Sequence, residues 1–347
     1  MKKLATLIVV LLVIHIGLLF VHPRSAETAP AADALRIGVV FDVGGRGDKS
    51  FNDGAYLGAL RAQNELGATV HYIEPAESSD REAGIRLLAA EGMDLVVAVG
   101  FIFTDDINAL AKEYPNIRFA DVDYSVGTDA SGNPIPPPPN VAALRFKEEQ
   151  GSFLVGAIAG LVTKTKTVGF VGGMNIPLIH KFDGGFQAGV KQVCPSCRVI
   201  AQYAGVTPDA FRNPGKGKEM AFSQYQQGAD IIYHASGSTG LGVFEAARSA
   251  RKLAIGVDAD QYAEAPGFVL TSMVKRIDVA VFEAIKRVKD GKFVGGIYDF
   301  GLEQNGVSYV YDEHNRDLIP ASVVERVEAL KKEVIAGRIV VPTKPPR

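Results

Sequence analysis

The chain has 347 residues, 47% hydrophobic and 22% charged, enough for two lobes of roughly 100–150 residues, each with its own core. Its net charge of −2 and the lack of any basic stripe give no sign of a nucleic-acid or other polyanionic partner. Trp is absent, so aromatic contact to a ligand must come from Phe or Tyr, and 37 Gly point to many tight strand-to-helix turns.

The chain opens with Lys2 and Lys3 before an apolar run, 4–21, broken only by His15. Pro23-Arg24-Ser25 and the small-residue stretch 26–34 follow. These are the parts of a secretory signal, although the run approaches the ~20 residues that span a bilayer. Residues 1–34 are therefore a signal peptide or an uncleaved anchor, and both place the body outside the cytoplasm. The stretch holds no Cys, which closes the lipoprotein route of attachment.

From residue 35 strand and helix alternate. Residues 35–41 are a near-continuous apolar run, as in a strand buried on both faces. The spacing then predicts a helix over 50–66, a strand over 69–73, a helix over 80–90, a strand over 94–99, a helix over 104–113 and a strand over 117–122. Short loops between such units mean a parallel sheet covered by helices on both faces. Residues 127–140, with Pro134 and Pro136 to Pro139, can be neither helix nor central strand and read as a surface loop near the crossing to a second lobe. The pattern resumes with strands at 141–146, 167–171, 198–203, 230–233, 253–257, 269–271 and 294–300. Helices are expected at 148–163, 186–193, 278–290 and 321–336. Gly156 and Gly160, one helical turn apart, read as close helix packing.

Cys194 and Cys197 are the only cysteines. No second pair of ligands exists for zinc, and the motif follows a helix where a redox motif would begin one. A local disulfide or two inert thiols is the reading. No metal and no cofactor are called for.

Two α/β halves suggest a cleft, with ligands bound beyond the C-terminal strand ends. The first such loop, 42–53, has three glycines, but its spacing fits neither a dinucleotide fingerprint nor a P-loop. Asp42, Asp48 and Asp53 would repel phosphate; carboxylates and amides suit hydroxyls and ring nitrogens. Ser50 and Asp53 have the spacing of a capping box, which would fix the loop that presents Asn52. Phe101 follows the third strand, Asp123 the fourth, and Asp258 the strand at 253–257, while Lys275 follows a later one. No GxSxG motif, no paired metal ligands and no His near a Ser or Cys nucleophile support an enzyme.

The segments GVVFDVGGRGDKSFNDGAYLGA, PNIRFADVDYS, NVAALRFKEEQGSFLVGAIAG, VGFVGGMNIPLIHKFDGGFQAGV and AIGVDADQY, in this order from about Ile37 to Lys275, resemble the basic membrane protein (BMP) family, which includes purine nucleoside receptors. The resemblance implies a type I periplasmic-binding-protein fold of two Rossmann-like lobes with a ligand cleft between them. Residues 35–145 plus about 276–303 would form lobe 1, and 146–275 plus about 304–347 lobe 2. It implies an extracytoplasmic, monomeric receptor in the periplasm or on the outer face of the membrane. Such a receptor passes a nucleoside to ABC permease and ATPase components. Matched by motif, Asn52 and Asp53 are the amide-acid pair, Phe211 stacks on the base, and Asp123, Asp258 and Lys275 are polar contacts. Phe41 or Phe101 would be the second aromatic. Two other classes remain beside this one: a membrane-tethered sensor of the same fold and a nucleoside hydrolase.

Overall fold

A computed structural model describes residues 35–75 and 80–346; the signal or anchor segment lies outside the described residues. The strands described form two six-stranded sheets. The first contains β1 (Arg36–Val40), β2 (Thr69–Ile73), β3 (Leu95–Val99), β4 (Arg118–Val122), β5 (Val141–Phe146) and β11 (Gly296–Phe300), in the order β11-β5-β4-β3-β1-β2, all parallel. The second contains β6 (Thr167–Met174), β7 (Arg198–Gly205), β8 (Ile231–Ala235), β9 (Leu253–Asp258), β10 (Val269–Lys275) and β12 (Val307–Tyr309), in the order β12-β10-β9-β8-β6-β7. Only β12, which the sequence did not signal, runs antiparallel to its neighbour. The two orders match position for position, so β4 corresponds to β9 and β3 to β8.

Alternation along the strands builds the cores. Ile37, Val39 and Phe41 share one cluster with Ala55, Ala59 and Ala62 of α1 (Phe51–Leu66), while Val40 turns to the opposite face, against Ile85 and Leu88 of α2 (Arg81–Ala90). With both faces covered, the strands read as unbroken apolar runs. The larger cluster continues through one face of the second sheet, where Phe170, Tyr233 and Val257 pack with Phe153 and Phe186.

The remaining helices are α3 (Thr104–Glu113), α4 (Glu148–Val162), α5 (Pro177–Val193), α6 (Pro214–Gln226), α7 (Thr239–Ala250), α8 (Ile277–Lys289) and α9 (Ala321–Ile335). α5 begins nine residues before its expected start, and α6 and α7 were not expected at all. The Pro-rich stretch is a surface loop, but it joins β4 to β5 within one sheet; the chain leaves that sheet only after Phe146. Cys194 and Cys197 are disulfide-bonded in the turn between α5 and β7. Among the described residues no helix is long and apolar enough to cross a membrane.

The glycine spacing in α4 is a packing device. A Cβ on Gly156 would lie 2.2 Å from Phe186 O of α5, and one on Gly189 of α5 would lie 2.0 Å from Phe153 O of α4. Each helix bares backbone to the other. Gly156→Ala is expected to lower stability by about 1–3 kcal/mol through overpacking, as measured by urea unfolding. Gly215→Ala, whose Cβ would meet nothing closer than 3.6 Å, should be tolerated.

Candidate ligand-binding cleft

The C-terminal strand ends of both sheets converge on one cavity with about 640 Å³ of empty space, part of it open to solvent at the mouth. The first lobe supplies Asp42, Gly44, Asp48, Phe51, Asn52, Phe101 and Asp123; the second supplies Phe182, Phe211, Ser236, Asp258 and Lys275, with Leu178 and Ile179 from the start of α5.

The loop after β1 is organised by Asp48. Its buried carboxylate accepts from the backbone N–H groups of Ser50 (2.9 Å), Asn52 (2.9 Å) and Asp53 (3.2 Å), and from Asn52 Nδ2 (3.1 Å). A capping carboxylate thus already fills the N-terminus of α1, where a phosphate would otherwise dock. The expected Ser50–Asp53 box does not form. Asp53, expected as a ligand contact, accepts from Gly47 N (2.7 Å) and Lys49 N (3.1 Å) and is not among the residues lining the cavity. Ser50 Oγ instead donates to Asp258 Oδ2 of the opposite lobe at 2.5 Å. Asn52 stays in the wall, its Oδ1 accepting from Asp42 N at 3.0 Å.

Asp123 and Asp258 stand at corresponding places, just beyond β4 and at the end of β9, with φ of 64° and 66°. Asp enters this left-handed region more readily than most side chains, and the turn brings each carboxylate to the cavity wall. Lys275 Nζ bridges the lobes, 2.7 Å from Asp123 and 3.1 Å from Glu148 Oε1. Its ammonium is also 4.9–5.6 Å from the ring centroids of Phe146, Phe51 and Phe182. A third link between the lobes runs from Gln261 Nε2 to Lys49 O at 2.9 Å.

Phe211 lies against β6, where a Cβ on Gly173 would be 2.1 Å from the ring; only glycine leaves it room. Phe101, after Gly100, also reaches the cavity. Phe41 does not. It is fully buried, stacked on Tyr72 with centroids 5.9 Å apart, because the alternation of β1 turns it toward α1. That corrects its candidacy as a stacking residue.

Burial dominates the electrostatics. It pushes the Asp42 carboxyl up to about 7, aided by Asp123 and Asp48 and opposed by the Val43 N–H. Burial also raises Asp258 to about 6 against the attraction of Lys275 and the Ser50 hydroxyl. For Lys275, burial alone would depress the pKa; Asp123, Glu148 and Asp258 outweigh it, and the ammonium stays protonated with its pKa raised.

Residues the sequence reading did not single out complete the site. Asp42 and Asp48 read as loop charges, Phe51 as a helical position and Glu148 as the start of a helix, while Phe182 lies ahead of the helix expected at 186–193 and carries no sign of a role. The expectation that no His stands near a Ser is also overturned: Ser236 Oγ, in the cavity wall, is 3.3 Å from His234 Nδ1. The spacing of two along β8 and its exit was the available signal.

Two parallel-sheet lobes closing on a polar-rimmed, aromatic cavity define a solute receptor. The family described as ABC transporter substrate-binding protein PnrA-like (Bmp) matches residues 36–344. The nucleoside-binding protein BmpA of an ABC transporter in Lactococcus lactis is 32% identical over 93% of either chain. An uncharacterized lipoprotein of Pyrococcus abyssi is 37% identical over 82% of this chain and 70% of its own. The crystal structure of an ABC transporter solute-binding protein from Aeropyrum pernix superposes with a TM-score of 0.80 at 31% identity, covering 89% of this chain and 94% of the other. The chain belongs to the Bmp family of ABC-transporter substrate-binding proteins, with the periplasmic-binding-protein fold that membership implies.

Proposed function

We propose that this protein captures a nucleoside, with purine nucleosides the preferred class, and releases it unchanged to the permease and ATPase of an ABC importer. The observation that carries the reading is the composition of the cavity wall: Phe101, Phe211, Phe51 and Phe182 beside the carboxylates of Asp42, Asp123 and Asp258. Flat apolar faces accept a base, and carboxylates accept hydrogen bonds from hydroxyls. Phe211 stacks on the base and Asp258 takes the ribose hydroxyls in this reading. The capping of α1 by Asp48 disfavours phosphate, and so selects nucleosides over nucleotides. The name of the Lactococcus lactis relative agrees. The receptor is exported, works outside the cytoplasm as a monomer and needs no cofactor; relatives named as lipoproteins agree with the location.

Turnover is disfavoured on chemical grounds. His234 is fully buried, and burial lowers its pKa to about 4, with only Gln261 Oε1 as its second partner (3.0 Å). An imidazole so weakly basic, backed by a neutral amide, is a poor base for activating Ser236.

A thermal-shift panel of nucleosides, sugars and amino acids tests the assignment. A solute at 100 times its Kd should add about 2.7 kcal/mol of stability. Nucleosides are expected to raise the melting temperature without release of free base. Stabilisation by a sugar or amino acid and by no nucleoside would overturn the solute and leave the receptor standing.

A further inference from the structure

The chain passes between the lobes three times, after β5, β10 and β11, and the passages are laced together. Lys147 N donates to Phe300 O at 3.0 Å, Arg276 N to Gly306 O at 2.8 Å, and Leu302 N to Gln150 Oε1 at 3.0 Å. Three charged side chains are buried among them, Glu148, Glu149 and Lys275; Glu149 is 8% exposed, with its Oε2 3.8 Å from Lys181 Nζ. Glu148, in the first passage, is 0% exposed, and Lys275, in the second, is 3% exposed. Glu148 divides its carboxylate: Oε1 lies 3.1 Å from Lys275 Nζ, and Oε2 accepts from Lys181 of α5. The Lys181 ammonium also reaches Phe146 O, where β5 ends.

Glu148 is absent from the cavity wall, yet one of its partners lines it and the other is next in sequence to a lining residue. Lys275 lines the cavity, and Lys181 sits in α5 beside Phe182, which also lines it. A buried carboxylate is costly unless paired, and this one is paired twice. We propose that Glu148 is a positioning residue for ligand capture: from the hinge it holds the Lys275 ammonium at the cleft wall and ties it to α5. The proposal rests on the reading of this cleft as the binding site.

The division of partners between lobes gives the physical reason. Asp123 belongs to the first lobe, so its pairing with Lys275 must break when the lobes part. A lysine stem has four rotatable bonds, and an ammonium left with no nearby carboxylate would be both mobile and poorly solvated. Glu148 stays with Lys275 at the hinge through that motion. The ammonium is then compensated in the open cleft and already placed when a ligand arrives, which lowers the ordering cost of binding.

The test reads Lys275 directly. In ligand-free protein, the 13C signal of its ε-carbon, assigned by comparison with Lys275→Arg, is followed against pH. The charged groups facing this ammonium are Asp123 from β4, Glu148 from α4 and Asp258 from β9, with Lys181 of α5 beyond Glu148. Glu148→Gln removes one attractive charge, so deprotonation should begin at a pH lower by about one unit or more. Glu148→Asp should restore part of the shift, and Glu149→Gln should leave the titration in place. By calorimetry, guanosine should bind Glu148→Gln about 10-fold more weakly or worse, and Glu149→Gln as the parent does. An unshifted Lys275 titration in Glu148→Gln, or parent-like guanosine affinity, overturns the proposal. Should Glu148→Gln fail to fold, Glu148→Asp carries both measurements, with a smaller shift in the same direction required. A parent that binds no guanosine, inosine or adenosine instead defeats the nucleoside reading, and the titration still decides the role of Glu148.

Discussion

Asp258→Ala is expected to weaken nucleoside binding by roughly 10–1000-fold, the loss of one or two charge-assisted hydrogen bonds at about 1.5–3 kcal/mol each. The carboxylate stands at the end of β9 in the cavity wall, where a solute bound as proposed would displace water. Its present partner, Ser50 Oγ at 2.5 Å, shows the oxygen already accepting from a hydroxyl. Alanine also removes a side chain suited to the left-handed backbone at this position, with φ of 66°, so part of the loss would be conformational. Asp258→Asn separates the two, because asparagine tolerates that backbone and lacks only the charge. Calorimetry with guanosine and its ribose-modified analogues should place most of the loss in Asn as well as Ala. Full affinity in both variants, with the fold intact, would remove Asp258 from the site.

The same residue gives a pH signature. Its folded pKa is raised to about 6 by burial, above the ordinary carboxylate range. An acceptor that must be ionised is lost as pH falls through about 6, so parent affinity should decline toward pH 5; Asp258→Asn should decline less, with Asp42, raised to about 7 in the same wall, carrying what remains. Folding runs the opposite way. A carboxyl with a raised folded pKa binds more protons folded than unfolded, so Asp258 and Asp42 favour the ligand-free fold increasingly as pH drops from about 7 toward 4.

The inner strands were legible because they are covered on both faces and so read as apolar runs, whereas β12, a short antiparallel strand at a sheet edge, gave no such run. The helices that escaped notice share one physical cause. Gly217 of α6 and Gly242 of α7 look like helix breakers, yet their Cβ positions would fall 2.0 Å from Thr239 O and 1.8 Å from Pro214 O. Glycine there permits helices to touch, and the contact more than offsets its poor propensity. Gly184 and Gly185 hide the first half of α5 in the same way, lying against Lys344 and Glu149 backbone. In the cleft, a carboxylate closing an apolar strand singled out Asp123 and Asp258 as candidates, since burial there needs a partner. Glu148 gave no such sign: Lys147-Glu148-Glu149-Gln150 looks like the solvated first turn of a helix, and only the packing of three passages makes it interior. Phe41 misled by proximity, for it precedes the cleft loop but is fully buried in the core with α1.

Lys275→Met is expected to be strongly destabilising, about 3–5 kcal/mol at pH 7.5, because it removes the most deeply buried cation from a cluster of carboxylates that otherwise has only Lys181. Methionine roughly conserves length and fills the space among Phe51, Phe146 and Phe182, so the deficit reports charge more than volume. Asp123 and Glu148 are left buried, and Glu148 keeps only Lys181. An orphaned Asp123 can escape by taking up a proton. The unfolded chain holds that proton less tightly, so the stability of Lys275→Met should recover relative to the parent as pH falls from 7.5 toward 5. Urea unfolding at the two pH values measures this. A loss under about 1 kcal/mol at both would match a surface pair and would mean that water reaches the ammonium. A loss of equal size at both would locate the damage in packing, and only a deficit that shrinks with acid supports a buried ionic cluster joining the two lobes.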